Sequence, residues 1–328
     1  MRSTFAKGAV LAAGVTALVA TLAAPAFADP QQAVAATDIT AVGSDTIQFV
    51  DDDLATAYNA TNPGRLFDSW DAVNPSTGAA HESITVKPGV SLTRPNGSSE
   101  GITALLQNSS VDVARSSRGP RDGDQGLIFL PFAQDEVRYA LSAATATHGV
   151  DGLTAAQLNT IYSCGNTGSA VKWSDLVPGA STDAIQAIIP QAGSGTRSFF
   201  EGAINVSDAT IQAGVNNGCI TQAEEHDPAP IANNSDAIAP FSVARFKSKV
   251  PAGQIALNTT GFDATREVYN VVKADPTTGT VDATMQNLLG DGGISSTGWI
   301  CSSAAAGTIT NNGFTTISNC GVAESFQG

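Results

Sequence analysis

Four stretches rich in glycine and hydroxyl side chains are suited to one kind of chemistry: Ser44-Asp45-Thr46-Ile47, Gly97-Ser98-Ser99, Arg115-Ser116-Ser117-Arg118 and Gly193-Ser194-Gly195-Thr196-Arg197. They bring together backbone N–H groups, hydroxyl donors and guanidinium forks, the groups that hold a small oxyanion. In Gly193-Ser194-Gly195-Thr196 the glycines let amides approach a ligand with no Cβ in the way. Amides at a helix start also carry partial positive charge. A nucleotide P-loop is excluded, because Thr196 and Arg197 follow Gly195 where such a loop needs a lysine. Any one of these turns would look the same as an ordinary helix cap. It is their repetition that points to a shared ligand.

A second chemistry has to be weighed. Gly97-Ser98-Ser99-Glu100-Gly101 satisfies GxSxG, which would make Ser99 the nucleophile of a secreted serine hydrolase. Such an enzyme needs a histidine base, and of the three histidines only His148 and His226 lie downstream of Ser99. His226 stands in Glu224-Glu225-His226-Asp227, which reads as a solvated charged loop. Metal sites have less support: the cysteines lack CxxC spacing, and Asp51-Asp52-Asp53 reads as a solvated helix face rather than a calcium loop. Trp70, Trp173 and Trp299 are isolated and read as packing residues.

The elements that would position these turns alternate between strand and helix. Asp38 to Gly43 reads as a strand, with Ile47, Val50, Leu54 and Tyr58 at helical spacing after it. Ile84 to Val86 is strand-like, and Ile102, Leu105 and Leu106 form a helical face. Val111 to Ala114 is a further strand, ending at Arg115, Ser117 and Arg118, the kind of place where open α/β sheets bind ligands. Leu127–Phe132 and Glu136–Ser142 read as two strands linked at Gln134-Asp135. Leu153–Ile161 reads as a helix capped by Thr154, Ile185–Ile189 as a buried strand, and Phe199, Phe200 and Ile204 as a helix face. Asp208–Val215, Thr265–Val272 and Asp282–Leu289 read as helices, Ile238–Val243 as a return strand, and the chain beyond Gly290 as a loop-rich tail. The pattern predicts an α/β protein with two lobes facing a cleft.

The N-terminus predicts export. Arg2 and Lys7 precede an apolar run from Ala9 to Ala24, and Ala26-Phe27-Ala28 is a small-x-small cleavage signal before Asp29. The run is short for a membrane anchor, and no cysteine near the cleavage point would take a lipid. Without residues 1–28 the chain has 14 basic against 30 acidic side chains, a formal charge of −16. Nucleic acid and anionic membranes are therefore poor partners, since both reward a basic face. A small anion is not, since a Debye length of about 8 Å screens remote surface charge. In an exported chain four cysteines predict two disulfides. Chain order favours Cys164–Cys219 and Cys301–Cys320 among three pairings.

Taken together, GSDTI at Gly43 to Ile47, GSSEGI at Gly97 to Ile102, VDVARSS at Val111 to Ser117, LTAAQLNTIYS at Leu153 to Ser163 with Lys172-Trp173, GSGTRSFF at Gly193 to Phe200 and SDAIAPFSV at Ser235 to Val243 resemble the phosphate-binding periplasmic-type solute-binding proteins of ABC transporters. The resemblance implies a type II periplasmic binding protein fold, α/β with a ligand cleft between two lobes. It also implies a non-enzymatic, cofactor-free monomer that closes on a small oxyanion, phosphate first, with an ABC transporter permease as candidate partner. By position, Thr46, Ile47, Ser99, Ser117, Ser194, Gly195 and Thr196 would be donors, with Ser44, Asp45 and Ser98 beside them. The family typically has an aspartate where Ser117 stands and an arginine where Pro190 stands. Arg115, Arg118 and Arg197 are the candidates for the cation, and Asp45 and Glu100 for the carboxylate that accepts a ligand proton. Residues 29–37 are expected as a leader, 38–126 as the first part of lobe one, 127–245 as lobe two and 246–328 as the return to lobe one.

Overall fold

The computed structural model of the protein describes residues 29–30, 32–294 and 297–325, so the export signal expected over 1–28 lies outside the described residues. Eleven strands run in chain order: β1 (Ile39–Gly43), β2 (Phe67–Ser69), β3 (Ser83–Lys87), β4 (Val90–Thr93), β5 (Val113–Ser116), β6 (Leu127–Ser142), β7 (Gln186–Pro190), β8 (Ile220–Ala223), β9 (Ala237–Ser242), β10 (Ile255–Leu257) and β11 (Ala264–Lys273). Strands β3 and β4 form a separate hairpin. The others make one sheet, ordered β2-β1-β5-β11-β6-β9-β7-β8, with β10 beside β6.

This order builds two lobes from one sheet. At one end β2, β1 and β5 are parallel, and at the other β8, β7 and β9 are parallel. The antiparallel pair β6 and β11 joins them. Parallel strands covered on both faces are buried throughout, which is why β1 and β9 are apolar or small along their whole length. Strand β6 serves both ends. Its Ile128, Phe129, Leu130 and Phe132 pack in cores with Ile39, Val42 and Ile47, whereas Tyr139 and Leu141 pack with Leu158, Trp173, Ile189 and Phe200.

Several expected elements differ. The helix expected over Thr265–Val272 is strand β11, because Val268, Tyr269, Val271 and Val272 suit a pleated, buried surface and the strand pairs on both sides, with β5 and β6. The two strands expected around Gln134-Asp135 are one strand of 16 residues, β6. These corrections share a cause: Asp135 and Arg266 are opposite each other in the β6–β11 register, so the pairing brings in charges that read as a turn and a helix surface when taken apart.

Only Gln286–Leu289 of the expected Asp282–Leu289 helix is helical, and the tail contains a helix over Ser303–Asn311. The expected solvated face at Asp51-Asp52 is buried, against the floor of the first lobe. Other readings match closely, including the helices Gln48–Asn59, Ala155–Tyr162 and Asp208–Asn217 and the Thr154 cap, which Gln157 completes as a capping box. The disulfides are Cys164–Cys219 and Cys301–Cys320, with Cα separations of 6.2 and 5.6 Å.

Candidate functional site

Hydroxyls from both ends of the sheet meet around Ser117, at the end of β5. Ser44 donates to Ser117 Oγ at 3.1 Å, and the Thr46 and Ser98 hydroxyls lie 3.1 and 3.3 Å from the same atom. Thr196, from the other lobe, stands 3.3 Å from the Thr46 oxygen. All five side chains are buried. The hydroxyls at these helix starts are here for a reason other than capping. No side chain caps the helices Gln48–Asn59 and Ser98–Gln107, so Ser44, Thr46 and Ser98 keep their hydroxyls for the cleft. Ser194 differs, since its Oγ accepts from Arg197 N as the cap of the helix Gly195–Ala203.

Two glycines permit this approach. A Cβ on Gly195 would stand 2.3 Å from both Ser98 Oγ and Ser117 Oγ, so only glycine lets that helix enter the hydroxyl cluster. Gly97, at φ 117°, would meet Gly193 O at 2.8 Å. There Ser99 N donates to Gly193 O at 3.1 Å and links the two lobes.

The cation in this cluster is Arg266, on β11. Its Nη2 donates to Thr196 Oγ1 at 2.8 Å and to Thr46 Oγ1 at 3.3 Å, and Nη1 donates to the Ser117 carbonyl at 3.2 Å. Nε and Nη2 also reach Asp135 Oδ2, at 3.1 and 2.9 Å, while Asp135 Oδ1 accepts from Ser242 Oγ and Ala244 N. The pair is buried, so Asp135 cancels the guanidinium's net charge and fixes the direction of its fork.

None of the three expected arginines occupies this place. Arg115 donates to Ser69 Oγ and to the carbonyls of Gly43, Ser44 and Trp70, which braces the Ser44 turn from behind. Arg118 pairs with Asp124. Arg197 pairs with Glu201 and Asp208 and donates to Gln222.

The carboxylate facing the hydroxyls is Glu225. It accepts from Thr46 Oγ1 at 2.9 Å, its side chain is 0% exposed, and its second oxygen is buried with no hydrogen-bond partner among the described residues. The two expected acceptors are committed elsewhere. Asp45 accepts from Arg245 Nη2 at 3.3 Å and lies 2.6 Å from His226 Nδ1. Burial pushes its carboxyl up, but Arg245, the His226 hydrogen bond and the charges of His226 and Arg115 together hold it below its ordinary range. Glu100 is tied to Asn96 N and His81. Next to Glu225, burial pushes Glu224 up to about 7 although Asn96 donates to it.

The loop read as solvated is thus buried at Glu225 and His226, because chain entry from β8 turns it into the space between the lobes. Nothing in the local sequence separates Glu225 from Glu224. For Arg266 a signal did exist, in the β-branched and aromatic content of Val268 to Val272.

The remaining expected residues are accounted for as follows. The Ile47 side chain is core, packed with Val50, Leu54 and Phe132. Ser99 lies outside the cluster, accepting from Arg121 Nη2 at 2.9 Å. As a hydrolase nucleophile it lacks a base: among the described residues His148 bonds Asp236 and His226 bonds Asp45.

A family model described as the PBP superfamily domain matches residues 30–320. Comparison with curated proteins gives no match. Among solved structures, an ABC-type phosphate transport receptor from Vibrio cholerae is 18% identical, with a TM-score of 0.57 over 85% of this chain and 100% of its own. A protein from Clostridium perfringens, described as a phosphate ABC transporter substrate-binding protein with bound phosphate, is 16% identical, with a TM-score of 0.59 over 86% of this chain and 100% of its own. A phosphate-binding protein from Stenotrophomonas maltophilia is 13% identical, with a TM-score of 0.51 over 87% of this chain and 92% of its own. At these identities the likeness establishes the two-lobed fold. With a family model spanning nearly all the described residues, the chain belongs to the PBP superfamily, a family of binding proteins rather than enzymes.

Proposed function

We propose that the protein captures a protonated tetrahedral oxyanion, inorganic phosphate first, between its lobes. The observation that carries this reading is the meeting of five buried hydroxyls, one charge-balanced guanidinium and one buried carboxylate at a single point. A phosphate oxyanion needs donors on most sides, which Ser44, Thr46, Ser98, Ser117, Thr196 and Arg266 supply. It also carries a proton near neutral pH, which needs an acceptor, and Glu225 has a free oxygen for it. Sulfate has no proton to give, so the same carboxylate would repel it.

The hydroxyls now bond one another at 3.1–3.3 Å, so a ligand must part the lobes and replace those bonds with its own. Bending of β6 and β11, which cross between the lobes, would supply that motion, and contact with both lobes would then select the closed form. In this reading residues 38–126 and 246–328 contribute lobe one and residues 127–245 lobe two. The mature chain, cut after Ala28, works outside the cytoplasm as a free monomer, for scavenging or for delivery to an ABC transporter permease. The neighbours described as phosphate receptors support the ligand class.

Calorimetric titration of the mature protein with phosphate, sulfate and phosphonate tests it. Phosphate should bind at least tenfold tighter than sulfate. Equal affinity, or no binding of either, would overturn the proposal.

A further inference from the structure

Behind the Ser44 turn, on the far side of Arg115, lies a cavity of about 400 Å³ with an unusual wall. Asp29 and Pro30 form part of it, together with Asp52, Phe67, Asp68 and Ser69. Asp29 is firmly held. Arg94 donates to both of its carboxylate oxygens, at 2.8 and 2.7 Å, and Asp71 N donates to it at 3.1 Å.

The carboxyls around the cavity are poorly matched. Both oxygens of Asp52, Asp68 Oδ2 and Asp71 Oδ1 are buried and accept from no N–H donor among the described residues; Asp52 faces Ser69 and Asp71, and Asp68 faces Asp38, as side-chain hydrogen-bonding neighbours. No ion pair reaches Asp52, Asp68 or Asp71 among the described residues. Arg115 spends its fork on Ser69 and three carbonyls, Lys87 pairs with Asp112, and Arg94 pairs with Asp29. Burial pushes Asp68 and Asp71 up to about 7 and Asp52 well above its ordinary value, with Asp71 beside Asp52, Asp38 beside Asp68, and Asp29 and Asp45 beside Asp71 as acidic neighbours, and Arg115 and Lys87 as the cations that face them. Burial holds these carboxyls protonated, and a cation seated among them would let them ionise, so the wall is a place where a positive group would be stabilised.

The residue that could bring one is already at the site. Asp29 is the residue that follows Ala26-Phe27-Ala28, and cleavage there turns an amide nitrogen into an α-ammonium group. We propose that the α-ammonium of Asp29, released by cleavage after Ala28, binds in the acidic cavity beside Asp52 and Asp68, so that export processing completes the first lobe. The Arg94 clamp on the Asp29 side chain then acts as the positioning contact. A metal ion suits the wall less well, since the described groups close enough to share an ion are Asp45–Glu225–His226 and His148–Asp183–Asp236, neither of them here. An ammonium has three donors, and so tolerates carboxylates spread more widely around it. The cavity is separate from the hydroxyl cluster, so this inference stands or falls independently of the ligand.

The test uses the exported protein, whose N-terminal sequence should begin at Asp29, compared with a form carrying Gly-Ser before Asp29. The α-amino group is read by NMR after reductive methylation with 13C-formaldehyde. We expect it to titrate at least one unit above its ordinary value of about 7.7–8.0, and the extended form to melt several degrees lower with unchanged phosphate affinity. Asp52→Asn combined with Asp68→Asn should return the α-amino group to its ordinary value in a chain that still melts cooperatively. A first residue other than Asp29, an ordinary α-amino pKa in the native form, equal melting of native and extended forms, or rescue of the extended form by millimolar calcium would each overturn the inference.

Discussion

Replacing Glu225 with glutamine removes the carboxylate that, in the proposed reading, accepts a ligand's proton. The change keeps size and burial, and the amide oxygen can still accept from Thr46 Oγ1, now 2.9 Å away, so the turn that holds Thr46 should persist. What disappears is a buried anion whose second oxygen has no partner among the described residues. A hydrogen bond from a ligand hydroxyl to a carboxylate contributes about 1.5–3 kcal/mol, which corresponds to a fall in phosphate affinity of about 10- to 150-fold. For sulfate the sign reverses, because a like charge is removed and the new amide can donate. Glu225→Gln should therefore narrow or invert the preference for phosphate, read by calorimetry with both anions at pH 7. A variant whose phosphate-to-sulfate ratio stays within twofold of the parent would refute the reasoning, since Glu225 would then not face the ligand's proton.

Arg266→Met leaves Asp135 buried with only Ser242 and Ala244 N as donors. Breaking such a pair from one side costs about 3–5 kcal/mol, so urea unfolding should shift by that amount and phosphate binding should vanish. Gly195→Ala puts a methyl 2.3 Å from two serine oxygens, which should weaken phosphate binding more than tenfold in titration while costing about 1–3 kcal/mol of stability. Of the disulfides, Cys164–Cys219 closes the longer loop, 55 residues against 19. Replacing both of its cysteines with serine should therefore cost about 4 kcal/mol, against about 3 for Cys301–Cys320, as measured by denaturant unfolding.

The pH dependence has a definite sign at Asp51. Burial, opposed by Arg115, pushes it up to about 7, whereas unfolded it titrates near 3.9. The folded chain thus binds more protons between those values, and this group's contribution to stability is lost as pH rises through that window, by on the order of 4 kcal/mol above pH 7. Asp51→Asn should raise the melting temperature above pH 7 and leave it unchanged near pH 4. A pH-independent difference would exclude this account.

Local pattern carried much of the fold. The apolar spacing of Ile47, Val50, Leu54 and Tyr58 marks the first helix, and the Thr154 cap marks another, because both depend on contacts within a few residues. Arg266 and Asp135 were hidden for the opposite reason. Each is a charge in an otherwise apolar stretch, and only the pairing of β11 with β6 places them opposite one another and lets them share a buried site.

Chain chemistry supplied the glycine- and hydroxyl-rich turns, and the family resemblance picked Thr46, Ser117 and Thr196 out of them, with Ser44 and Ser98 beside them. Chain order also supplied the pairing of cysteines. Long-range folding chose among equivalent charges. It turned Arg115 toward Ser69 and three backbone carbonyls, Arg118 and Arg197 toward carboxylates nearby in sequence, Arg266 toward the hydroxyls, and Glu225 rather than Asp45 or Glu100 toward Thr46. A charged side chain's role depends on which partner burial forces beside it, and that partner is 131 residues away for Arg266, at Asp135, and 179 for Glu225, at Thr46.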